Sequence, residues 1–110
     1  MGVRTLQLIS AGILGWLVLS GAMQGQSDAA KTYKANCELC HGVDGSGNTG
    51  PGKAFHAQDL RSADTQKETD AQLTEAITNG RGKMPAFGAK LKPEDIQKLV
   101  AHIRSLAPTK

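Results

Sequence analysis

Apolar positions in this chain fall into three periodic stretches, preceded by one continuous apolar run and separated by polar or glycine-rich sequence. Ala29, Tyr33 and Cys37 recur every fourth residue and share one side of a helix predicted from Ala29 to about Cys40, with Asp28 placed to cap it. Leu73, Ala76 and Ile77 form a second face, opened by the Thr69 and Gln72 capping-box pair and closed by Gly80. Ile96, Leu99, Val100, Ile103 and Leu106 keep helical spacing behind Pro93. Glu94 and Asp95 suit the first turn of that helix, and Pro108 ends it. No strand-like alternation and no internal repeat interrupts this pattern, so the reading is all-α.

The intervening segments are of two kinds. Residues 42–52 hold five glycines with Asp44, Asn48 and Pro51, which makes them a loop. Residues 53–68 are polar and weakly patterned, and only irregular structure with at most a helical turn is expected there.

The continuous run, Leu6 to Leu19, follows the basic Arg4 and leads to the small residues Ser20 and Ala22. This is the pattern of a secretory signal over residues 1–22, cleaved after Ala22, which leaves a domain over 23–110. An uncleaved membrane anchor is the alternative, although Gln7, Ser10 and several glycines make the run weakly apolar for a span. Either way the expected location is periplasmic or otherwise extracytoplasmic.

Roughly 88 residues then remain, one domain by length. Its only aromatics are Tyr33, Phe55 and Phe87. So thin a core calls for a staple, and a buried prosthetic group is one way to provide it.

Cys37-Glu38-Leu39-Cys40-His41 supplies the chemistry for such a group. Two cysteines three apart on a helical turn can add their sulfurs across the two vinyl groups of a porphyrin. The adjacent His41 can then serve as the proximal ligand of the iron, leaving one axial position for the rest of the chain. A zinc site would need two more ligands at metal spacing, yet these are the only cysteines, and His56 and His102 stand alone. A thioredoxin-like pair needs a βαβ surround that the pattern lacks. A plain surface disulfide leaves the histidine unexplained.

The glycine loop contains a decoy. Gly47 to Ala54 approaches a phosphate-binding loop, but Ala54 replaces the hydroxyl that would hold magnesium and no strand precedes it, so a nucleotide site is rejected. The loop is expected to wrap the proximal side of the haem, where one of its carbonyls can accept the Nδ1 proton of His41. For the second axial position Met84 is the leading candidate. Pro85 holds it extended, and a thioether suits haem iron. His56 and His102 are the other possible ligands, and Met84 as a core gap-filler is the bland reading.

Charge changes the picture little. Without Arg4, twelve Lys and Arg face ten acids, and residues 79–110 hold seven bases against Glu94 and Asp95. That is either a basic rim for an acidic redox partner or an ordinary solvated face. The absence of a basic run with interleaved aromatics argues against nucleic acid.

From Tyr33 through Cys37-Glu38-Leu39-Cys40-His41-Gly42, Gly50-Pro51, Asn79-Gly80 and Met84-Pro85-Ala86-Phe87-Gly88 to the last helix, the chain resembles the small class I c-type cytochromes, particularly the c-six carriers. The resemblance implies a small cytochrome c fold of three to four helices around one covalent haem c. It implies thioether bonds at Cys37 and Cys40, ligation by His41 and Met84, and a bond from His41 to the Pro51 carbonyl. It also implies a crossing of first and last helices at Ala29, Tyr33 and Leu99, with Ala29 where glycine is common and His102 where an aromatic is common. With both axial positions filled, the implied function is single-electron transfer between redox complexes that dock transiently, by a monomer that is not an enzyme. A haem subunit of a larger oxidoreductase, or a catalytic or gas-sensing haem protein with Met84 unbound, are the alternatives.

Overall fold

The computed structural model describes residues 21–109 together with Gly2 and Gly15. Among them run six helices: α1 (Gly21–Asn36), α2 (Glu38–His41), α3 (Gly50–Phe55), α4 (Ala63–Gln66), α5 (Asp70–Asn79) and α6 (Pro93–Ser105). Three of these have ten residues or more and form the frame. The described residues contain no strand, only an isolated bridge between Arg81 and Met84.

α5 and α6 follow the pattern that predicts them. The Thr69 hydroxyl accepts from the Gln72 amide, and the Gln72 side chain accepts from the Thr69 amide, so two otherwise unpaired donors at the start of α5 are satisfied. Pro93 opens α6, Glu94 and Asp95 occupy its first turn, and its Ile96, Leu99, Val100 and Ile103 face is buried. With Tyr33, Leu60, Leu73, Ile77 and Phe87 these residues make one core, against which Cys37, Met84, Leu91 and Leu106 pack.

α1 packs on α6. The residues expected at this crossing, Ala29, Tyr33 and Leu99, are 4%, 3% and 1% exposed, so Ala29 suffices where glycine was the anticipated residue. His102 lies with its ring 4.5 Å from that of Tyr33, as a packing histidine, and Asp28 reaches Lys98 at 3.8 Å.

Three local expectations need correction. α1 starts at Gly21, so Asp28 is interior to the helix and not its cap; residues 21–28 contain no proline, and Gly25 weakens the helix without breaking it. α1 also ends before Cys37, which sits at φ −119°, ψ −33°, and the helix restarts as α2. Finally, α3 forms where a loop was expected, whereas α4 is the single helical turn allowed for residues 53–68. The Thr49 hydroxyl caps α3 by accepting from Gly52, with Pro51 in the first turn, and Ser62 caps α4 by accepting from Thr65.

The predicted signal over residues 1–22 lies almost wholly outside the described residues. Among the described residues no helix is long and apolar enough to cross a membrane.

Candidate functional site

The end of α1 and the whole of α2 deliver the cysteine and histidine pentapeptide, and its surroundings hold it by the backbone. The Tyr33 hydroxyl donates to the Gly42 carbonyl at 2.6 Å, from a buried position. The Thr49 hydroxyl lies 2.9 Å from the carbonyls of both Leu39 and Cys40 while it accepts from the Gly52 amide. Gly47 donates to the His41 carbonyl at 2.7 Å. The glycine loop therefore folds back onto the pentapeptide, and its tightest point is Gly52, where a Cβ would stand 2.3 Å from the carbonyl oxygens of Cys40 and Gly47.

His41 Nδ1 donates to a carbonyl, but that carbonyl belongs to Gln58, at 2.9 Å, and not to Pro51. Pro51 sits in the first turn of α3, where its carbonyl is directed along the helix. The chain then reverses at His56, which has left-handed angles of φ 55°, ψ 46°, and this turn brings Gln58 back to the imidazole. The Gln58 side chain donates to the Thr65 hydroxyl at 2.7 Å, and Thr65 is 1% exposed, so the carbonyl is presented from a fixed base. With Nδ1 committed as donor, Nε2 of the neutral ring is left with its lone pair free to bind a metal. Burial holds the imidazole below its usual pKa, only partly offset by the Gln58 carbonyl, and so keeps it in this neutral form.

The thiols of Cys37 and Cys40 are free and half-buried. Burial first, and the neighbouring Cys40 second, push the Cys37 thiol up to about 11. Leu39 within this segment and Val43 just past it are each 74% exposed, and Phe55 at the end of α3 is 52% exposed.

Met84 ends a tight turn. Arg81 and Met84 exchange backbone bonds of 3.2 and 2.9 Å, and beyond them Phe87 and Gly88 donate to the carbonyls of Ile77 and Thr78 in α5. Gly80 permits the turn, since a Cβ there would lie 2.7 Å from the Met84 carbonyl and its φ is +79°. Met84 is half-buried against the same core as Cys37. The Lys83 ammonium next to it lies 5.6 Å from the centre of the Phe55 ring, which brings the Met84 turn to the end of α3.

Of the remaining candidates, His56 is exposed at its turn and His102 is packed on Tyr33. Among the described residues no group of three or more His, Cys, Asp or Glu could hold a metal ion, which leaves the zinc reading without ligands. The donors that remain are an imidazole with Nε2 uncommitted, a thioether, and two free thiols three residues apart. That set fits a covalently held haem. Gln58 and Thr49 were not predicted, because each acts through a carbonyl or a cap that leaves little mark on residue type.

The family model described as Cytochrome C oxidase, cbb3-type, subunit III, matches residues 24–103. The chain is 38% identical over 93 residues to the cbb3-type cytochrome c oxidase subunit FixP of Azorhizobium caulinodans, covering 80% of this chain but only 31% of that protein. It therefore spans about a third of that relative's length. Cytochrome c6 of Picosynechococcus is 30% identical over 113 residues, with 96% of each chain covered. Among solved structures, the KustC0563 c-type cytochrome superposes with a TM-score of 0.68 at 35% identity, covering 74% of this chain and 99% of that one.

Proposed function

Because this chain belongs to the small c-type cytochromes, as a cytochrome c6-like domain of the cbb3 subunit III family, we propose that it carries electrons one at a time between extracytoplasmic redox partners. Membership of the family and the Cys37-to-His41 motif imply a covalent haem c. In this reading Cys37 and Cys40 hold the porphyrin by thioether bonds, and His41 Nε2 and the Met84 sulfur take the two axial positions. When bound, the haem supplies an iron that changes oxidation state by one electron.

The observation that carries the reading is the His41 to Gln58 bond. It fixes the tautomer and the ring orientation that iron ligation needs, and it adds to the donor strength of Nε2. Tyr33 and Thr49 hold the pentapeptide still, so little need move when the charge changes. With both axial positions taken by the chain itself, no place is left for a substrate, which favours a carrier over an enzyme. Carbon monoxide added to the reduced protein tests this. Slow or absent binding with reversible one-electron titration supports the carrier, whereas rapid binding supports a gas-binding or catalytic haem.

The match to subunit III favours a second reading, a haem domain that works in place within a larger oxidoreductase. Size-exclusion of the native material, with the intact mass of its N-terminus, separates a free, exported shuttle from an anchored or assembled one.

A further inference from the structure

The Met84 turn is short and exposed, and its attachments are unevenly strong. Its outgoing end is tied to α5 through Phe87 and Gly88, and its incoming end leaves α5 at Gly80. Between them Gly82 adopts φ +57° with nothing around it, and Arg81, Gly82 and Lys83 are exposed. One ion pair reaches into this stretch from another part of the described fold: an Arg81 guanidinium nitrogen donates to Glu68 Oε1 at 2.8 Å.

Glu68 is well placed to hold something. Its side chain is 18% exposed, the least of the ion-pair partners among the described residues. Its backbone is pinned on both sides, the amide by the Thr65 carbonyl and the carbonyl by Arg104, which also reaches Gln66 and Asp70. The carboxylate thus projects from the rigid corner between α4 and α5 toward the residue whose amide and carbonyl both pair with Met84.

We propose that Glu68 is a positioning residue, which through Arg81 latches the 81–84 turn and so keeps the Met84 sulfur on the haem iron against competing ligands. This rests on the reading of Met84 as the distal ligand. Loss of the ion pair frees Arg81, whose amide and carbonyl both pair with Met84, so that the turn can open and carry Met84 with it. A loosened latch does not unfold the helices, because Phe87 beyond the turn stays in the core and its amide stays bonded to the Ile77 carbonyl. It raises the fraction of time that the sixth position is open to a small external ligand.

The test is the affinity of the oxidised holoprotein for imidazole, followed by absorbance, with the weak far-red band of sulfur ligation read in parallel. Glu68→Gln and Arg81→Gln should each raise imidazole affinity by about twofold to fivefold, the range expected for one partly exposed pair. The exchange of charges, Glu68→Arg with Arg81→Glu, should return it toward the wild-type value. Asp28→Asn, which breaks a surface pair between α1 and α6, should leave it unchanged. Should the Glu68 variants fail to accumulate, a salt series serves instead: high salt should raise imidazole affinity in the wild type and not in Arg81→Gln. Unchanged affinity in Arg81→Gln, or an equal rise in Asp28→Asn, overturns the latch. A far-red band that is absent from the wild type, or that persists in Met84→Ala, overturns the ligand assignment itself and is distinguishable from failure of the latch.

Discussion

The Tyr33 hydroxyl donates a 2.6 Å hydrogen bond to the carbonyl of Gly42, the residue that follows His41, and so joins the α1–α6 crossing to the cysteine and histidine segment. Removing that hydroxyl with Tyr33→Phe keeps the ring and its contact with His102 and removes the shorter of two bonds to that carbonyl, which still accepts from the Gly45 amide at 3.2 Å. The expected cost is about 0.5–1.5 kcal/mol. A lower midpoint in urea unfolding of the holoprotein, at unchanged slope, would register it; an unchanged midpoint would mean that the bond contributes nothing.

Gly52→Ala places a methyl group against two carbonyl oxygens in the tightest part of the loop. Neither oxygen sits at the end of a flexible side chain, so backbone must shift, at about 1–3 kcal/mol or more. The expected outcome is a lower ratio of haem to polypeptide in the exported protein together with a lower Tm. Gly50→Ala is the matched control, because nothing lies within 4 Å of a Cβ at that position.

How much of this was legible in the sequence depends on what kind of residue carries each feature. α6 and the α5 capping box stood out because apolar spacing and cap chemistry belong to side chains, and Pro93, Thr69 and Gln72 do what their types predict. α3 was masked by glycine content, even though Thr49 and Pro51 are ordinary helix-start residues. Residue type does not single out Gln58 over Pro51 as the partner of His41, because a carbonyl is present on every residue. Which one faces the imidazole is decided by the left-handed turn at His56, a conformation uncommon for a residue that is not glycine. The Glu68 to Arg81 pair spans thirteen positions and follows from the fold alone.

His102 gives a prediction in pH. Burial lowers its pKa, so the folded state prefers the neutral ring that packs on Tyr33. The unfolded chain then binds more protons in the window just below the ordinary histidine value. Stability from this source is fully present above about pH 6.5 and declines as pH falls through the lower folded value. Because the ring is partly solvated, the loss should stay below about 1 kcal/mol. Tm measured at pH 5 and pH 7.5 should fall more in the wild type than in His102→Gln; equal falls would assign the dependence to other groups.

Haem-free protein gives a fourth. With three aromatics in the domain and Cys37 and Met84 packed only at the margin of the core, Cys37→Ser with Cys40→Ser should leave a chain with no cooperative thermal transition. A sharp transition in that variant would show that the polypeptide core suffices on its own.

Absorption spectra of the exported protein, taken before and after acid-acetone extraction and compared with Met84→Ala, test the central assignment most directly. The colour is expected to stay with the polypeptide, and a weak far-red ferric band to be present in the wild type and lost in the variant. Pigment that extracts into the solvent, or a far-red band indifferent to the loss of Met84, would contradict it.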